Sequence, residues 1–110
     1  MPHTIPDPTY KVLIVDDDPF IRRLISSILI LKGHQCDEAN DGMEALEKFT
    51  KNPFDAVITD IRMPRMDGIE LTRELLKLQP ALPIIVMTGC QDAMTSRWLR
   101  RRSSQEPAIF

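Results

Sequence analysis

The chain has 110 residues, a formal net charge of −2, 43% apolar residues and 27% charged ones. That balance belongs to one folded globular domain and excludes a disordered chain, and every apolar run is far shorter than the ~20 residues that cross a bilayer. Fourteen of the sixteen acidic residues and ten of the fourteen basic ones lie in residues 1–89. This acidic body argues against direct nucleic-acid binding, and the basic "RWLRRR" near the end reads as a solvated face or tail.

The opening "MPHTIPDPTY" has three prolines and no apolar run. Residues 1–9 are therefore expected to be a disordered lead-in, and the missing export signal points to the cytoplasm. Lys11–Val15 is an unalternating apolar run after its first residue, which suits a strand buried on both faces. Three aspartates follow at once. Asp18-Pro19 is a helix start, with Asp as N-cap and Pro in the first turn. The helix places Phe20, Ile21, Leu24, Ile25, Ile28 and Leu31 at three- and four-residue spacings, expected inward, with Arg22, Arg23, Ser26 and Ser27 on the other side. Gly33 ends it.

Residues 34–39 form a short, weak strand candidate. Asp41 and Glu44 have capping-box spacing and open a second helix with Met43, Leu46 and Phe49 inward, ended by Asn52-Pro53. "DAVITD", residues 55–60, is a third strand. After the loop "IRMPRM", Asp67 and Glu70 repeat the capping signal ahead of a third helix carrying Ile69, Leu71, Leu75, Leu76 and Leu78. Pro80 and Pro83 close it, and "PIIVMTG" is a fourth strand. Cys36 and Cys90 have no partner at metal-ligand spacing and are expected to be reduced.

Strands and helices thus alternate from the first strand to the fourth, which implies right-handed crossovers and a parallel sheet covered on both faces. The carboxyl ends of the strands share one edge, where ligands of open α/β sheets bind. That edge is polar here: Asp16, Asp17 and Asp18, then Thr59 and Asp60, then Thr88 and Gly89. Carboxylates ~4 Å apart repel by about 4 kcal/mol at an effective dielectric near 20, and a hard divalent cation relieves this. Asp60 is the candidate nucleophile toward phosphorus. The Thr88 hydroxyl and the backbone N–H groups of Arg62 and Gly89 are candidate donors to a phosphoryl group.

"VLIVDDDPFIRRLI", "DAVITDIRMPRMDGIEL" and "PIIVMTG", in that order, resemble the receiver domains of two-component response regulators over about residues 10–89. The resemblance implies a three-layer, flavodoxin-like open parallel sheet of strand order 2-1-3-4. It implies Asp60 as phosphoacceptor and Mg²⁺ (or Mn²⁺) held by Asp17 directly, Asp16 partly through water, Asp60, and the backbone carbonyl of Arg62. Thr88 would be the switch hydroxyl, and Met63, Pro64 and Gly68 would shape the turn into the third helix. The implied donor is a phosphohistidine on a sensor histidine kinase or phosphotransfer protein. The implied chemistry is self-phosphorylation and self-dephosphorylation, without conventional turnover.

The chain departs from that family after Gly89. The family's fifth strand, its lysine and its fifth helix find no match, and the last lysine is Lys77. Residues 90–110 are expected to be an atypical tail, with one short helix built on Ala93, Met94, Trp98 and Leu99. The abrupt change of character suggests a truncated or altered receiver, with no output domain following. A bare fourth-strand edge invites pairing with another chain, so a homodimer or strand-exchanged oligomer is expected unless residues 108–110 pack back. Arg97, Arg100, Arg101 and Arg102 are poor substitutes for an ammonium. Two other readings compete. One is an interaction module that works without phosphorylation. The other is a haloacid-dehalogenase-like phosphatase, with Asp16 as nucleophile and Asp18 as acid/base.

Overall fold

The computed structural model describes residues 8–63 and 65–87, together with the backbone of a strand at Ala108–Ile109. The elements run β1 (Lys11–Val15), α1 (Pro19–Leu31), β2 (Gln35–Ala39), α2 (Gly42–Lys51), β3 (Ala56–Asp60), α3 (Gly68–Leu78), β4 (Ile84–Met87) and β5 (Ala108–Ile109). The strands form one sheet in the order β2-β1-β3-β4-β5, every neighbouring pair parallel. The order 2-1-3-4 is the expected one.

The expected absence of a fifth strand is corrected. Ala108 pairs with Ile85 and Ile109 with Val86. The physical reason is the one that made a bare edge a liability. β4 offers a row of unpaired N–H and C=O groups, and two apolar residues returning alongside satisfy some of them. The expectations for residues 1–7 and for a helix in residues 90–107 lie outside the described residues, as do Pro64, Thr88, Gly89 and the tail arginines.

The helices start as the sequence predicts. Asp18, Asp41 and Asp67 each cap a helix, their carboxylates accepting from the backbone N–H of Phe20 (2.9 Å), Glu44 (2.8 Å) and Glu70 (2.8 Å). The Glu44 carboxylate reaches back to the Asn40 N–H at 2.7 Å, one residue before the cap. Helix α1 ends at Leu31, and Gly33 just beyond it takes a φ of 93°, a conformation open to glycine.

The crossover from β1 to β2 runs one way along the sheet, and those from β2 to β3 and from β3 to β4 run the other way. Right-handed connections therefore put α1 on one face and α2 with α3 on the opposite face. The core follows this split. Leu13, Val15, Val57, Ile84 and Val86 point to the α2–α3 face and pack with Ala45, Leu71, Leu75 and Phe54. Val12 and Ile14, alternating with them, are buried on the α1 face.

Helix α1 departs from its sequence reading. Phe20, Leu24, Ile28 and Leu31, expected inward, are exposed, Leu31 by 87%. Ser26, expected outward, is 5% exposed, and the Arg22 side chain 15%. The helix is pinned by polar contacts to β2: the Glu38 carboxylate accepts from Arg22 Nε at 3.0 Å and from Ser26 Oγ at 3.2 Å. That turns Ile21, Ile25 and Leu29 partly inward and the 20-24-28-31 stripe outward. Among the described residues α1 alone covers its face of the sheet, so nothing there meets the stripe. Met43 and Leu78, at 46% and 55% exposure, also lie outside the core.

Candidate functional site

The strand order reverses between β1 and β3, and their carboxyl ends flank the crevice where parallel sheets bind ligands. Val15 lies opposite Thr59 in the ladder. The next residues, Asp16 on one side and Asp60 on the other, leave the sheet at the same level. Each of Asp16, Asp17 and Asp60 offers a carboxylate oxygen within 4.8 Å of the others. The convergence expected of Asp16 and Asp17 with Asp60 is therefore present. Asp16 is buried, Asp60 half-buried and Asp17 exposed.

Asp16 and Asp60 are anchored from behind. Asp16 Oδ1 accepts from the Asp18 N–H at 2.9 Å, and Asp60 Oδ1 from the Ile61 N–H at 2.8 Å. Burial pushes the Asp16 carboxyl above its ordinary pKa. The Asp18 N–H pulls it back, and the nearby charges of Asp60, Asp17 and Asp18 push it further up. Asp60 is raised as well, by burial first, with the Ile61 N–H opposing and the Asp17 charge adding. Asp16 and Asp60, which burial and nearby negative charge disfavour as anions, form with Asp17 a donor set of hard oxygens. This fits a small divalent cation, which prefers oxygen ligands and removes the repulsion.

Asp18 stands apart. Its carboxylate is spent on the cap of α1, so it is not a member of the trio. That separates the site from the Asp-x-Asp arrangement of a haloacid-dehalogenase-like phosphatase. Thr59 is fully buried, and its hydroxyl donates to the Asp60 carbonyl at 2.9 Å. Thr88 and Gly89 follow Met87, the ladder partner of Asp60, and lie outside the described residues.

Beside the trio is a cavity of about 430 Å³, lined by Asp17, Ile61, Arg62, Met63 and Asp67. Four of these residues, Ile61, Arg62, Met63 and Asp67, belong to the loop after β3. The loop is closed at its base by the Gly68 N–H on the Ile61 carbonyl, 2.8 Å. Gly68 fits because a Cβ there would collide with the Asp60 carbonyl oxygen. The turn role expected for Gly68 thus has a steric basis.

Two contacts around the site had no signal in the sequence. Arg22 Nη1 donates to the Asp16 carbonyl at 2.7 Å, tying α1 to the end of β1. Arg65 grips the carboxylate of Asp41, with Nε on Oδ2 at 2.8 Å and Nη2 on Oδ1 at 2.9 Å. The pairing holds the Asp41 carboxyl below its usual range. For an arginine, solvent exposure is the default expectation.

The family profile described as the response regulator receiver domain matches residues 12–103. The chain belongs to that family. The receiver is 45% identical over 92 residues to the sensor protein EvgS of Escherichia coli K12, an alignment covering 84% of this chain and 8% of EvgS. It is 39% identical over 87 residues to the response regulator MprA of Mycobacterium sp. KMS, covering 79% of this chain and 37% of MprA. The chain therefore spans a small part of the length of these relatives. Among solved structures, the response regulator TrrA of Thermotoga maritima, in complex with Mg²⁺-BeF, is 35% identical. It superposes with a TM-score of 0.77 over 90% of this chain and 82% of TrrA. The chemotaxis protein CheY4 of Vibrio cholerae is 30% identical, with a TM-score of 0.79 over 93% of this chain and 84% of CheY4. The receiver fold expected from three short motifs is the fold of the chain. Among the described residues no helix is long and apolar enough to cross a membrane.

Proposed function

We propose that this receiver accepts a phosphoryl group on Asp60 from a phosphohistidine of a sensor kinase or phosphotransfer protein in the cytoplasm. The observation that carries the reading is the approach of Asp16, Asp17 and Asp60 to within 4.8 Å at the switch point of the sheet. A carboxylate oxygen of Asp60 forms the new O–P bond as the N–P bond of the donor breaks, and the product is an acyl phosphate. Asp17 and Asp60 directly, Asp16 partly through water, and the Arg62 carbonyl would hold Mg²⁺ (or Mn²⁺), whose charge offsets that of the transferred group. The Ile61 N–H keeps Asp60 oriented, as it does here. Thr88 and the Gly89 N–H are the proposed phosphoryl contacts.

The test is incubation with Mg²⁺ and acetyl phosphate, followed by peptide mapping by mass. Label on Asp60, lost in Asp60→Asn, is expected. Label on Asp16 overturns the reading in favour of a phosphatase-like nucleophile. A second reading, a module that signals through contacts without phosphorylation, draws on the lack of any lysine between β4 and Phe110. A folded protein that takes no label supports it.

A further inference from the structure

We propose that Arg65 is a positioning residue: its two-pronged grip on Asp41 fixes the loop 61–67 for cation binding. The inference rests on the reading of the Asp16–Asp17–Asp60 cluster as a cation site. It adds a residue on a different element, α2's cap, to what that site needs.

The loop is held at both ends. At its base the Gly68 N–H closes on the Ile61 carbonyl. Near its far end both prongs of the Arg65 guanidinium meet the Asp41 carboxylate, whose side chain is 8% exposed. A planar fork on a carboxylate fixes direction as well as distance. Asp41 is itself immobilised, since it caps α2 through the Glu44 N–H at 2.8 Å. Beside it, a Cβ on Gly42 would collide with the Met66 carbonyl oxygen, so the first turn of α2 lies against the loop backbone.

Arg65 adopts a φ of 70°, the only positive value at a non-glycine among the described residues. Arginine rarely takes that conformation, and such conformations persist where the surroundings over-determine them. Here the surroundings are the fork on one side and the packed Met66 carbonyl on the other. Between the two anchors lie Arg62 and Met63, which line the cavity beside Asp17. The Arg62 carbonyl, the backbone ligand of the proposed site, is thus set by a contact made three residues further along. A contact that only glued the fold together would change stability and leave the site alone.

The test compares Mn²⁺ binding, by loss of the free-ion EPR signal, with urea stability for the full chain and three variants. Arg65→Gly relaxes the backbone and removes the fork. Asp41→Asn keeps a good N-cap and removes the charge. The double variant has no uncompensated carboxylate and guards against a fold lost in Arg65→Gly alone. The expected result is a Mn²⁺ affinity about tenfold weaker in each, the scale seen for outer-shell partners of metal ligands, with the double variant no worse than the singles. Unchanged affinity in the double variant overturns the inference, as does weakening that only tracks the unfolded fraction. A wild-type protein that binds no Mn²⁺ instead overturns the reading of the cluster.

Discussion

Replacing Asp60 with asparagine removes one of three carboxylates whose oxygens lie within 4.8 Å of one another. At that separation two unit charges repel by about 3.5 kcal/mol at an effective dielectric of ~20. Asp17 is exposed and Asp60 half-buried, so water screens much of this, and about 1–2 kcal/mol should remain. The amide oxygen can keep the Ile61 N–H bond that Asp60 Oδ1 makes. In EDTA at neutral pH, D60N should therefore be more stable to urea than the wild type by about 1–2 kcal/mol. Saturating Mg²⁺ should reverse the order. A cation at a hundredfold excess over its dissociation constant adds about 2.7 kcal/mol to the wild type, and D60N, short of a ligand, should gain far less. The pH dependence has a definite sign. Asp16 and Asp60 are raised above 3.8 in the folded state, so the metal-free fold binds their protons more tightly than the unfolded chain does. Stability is then full below 3.8 and falls as pH rises through the raised values, and Mg²⁺ should suppress the fall. Urea unfolding followed by circular dichroism, with and without Mg²⁺, measures all three. A D60N protein no more stable than wild type in EDTA, or a wild type indifferent to Mg²⁺, refutes the idea that the three carboxylates share one space.

Asp41 should behave oppositely with pH. Its folded-state pKa is lowered, first by the Arg65 hydrogen bonds, so its stabilisation is present above 3.8 and lost as pH falls through the lowered value. An acid titration of the urea midpoint should show this loss in wild type and not in D41N. Gly68→Ala should destabilise by about 2–3 kcal/mol in thermal unfolding, because its Cβ meets the Asp60 carbonyl oxygen, a backbone atom that cannot swing aside. Leu31→Glu should change stability by less than about 0.5 kcal/mol, since the side chain is 87% exposed, whereas Leu71→Ala, fully buried, should cost about 2–5 kcal/mol. Ile109→Pro removes an N–H from the strand beside Val86 and should raise self-association in sedimentation velocity by opening the β4 edge.

The sequence was most legible where one residue type has one physical use. Aspartate before Pro19, Gly42 and Gly68 marked three helix starts, and unbroken runs of Val, Ile and Leu marked β1 and β4. The aspartate cluster was legible because parallel strands end at one edge, which brings Asp16 and Asp17 after β1 beside Asp60 at the end of β3. What misled was α1. Its apolar spacing is regular, yet the contacts that orient it, to the Glu38 carboxylate on β2 and the Asp16 carbonyl, are polar and leave no mark in that spacing. Periodicity reports that a helix has two faces and leaves open which one finds a neighbour. β5 was missed because two residues are too few to show a pattern, and the Arg65–Asp41 pair because 24 positions separate its members.

The match of Val15 with Thr59 across β1 and β3 has a further consequence for how this protein could change over evolutionary time. Neighbouring residues of a strand face opposite sides. Losing or gaining a single codon within β3 would swing Asp60 round to the far face and leave hydrophobic Ile61 or buried Thr59 in its stead. The meeting of Asp60 with Asp16 and Asp17 thus depends on the length of β3 as well as on residue identity, and substitutions at the strand tips and in the loop after Asp60 can tune the cluster without undoing it.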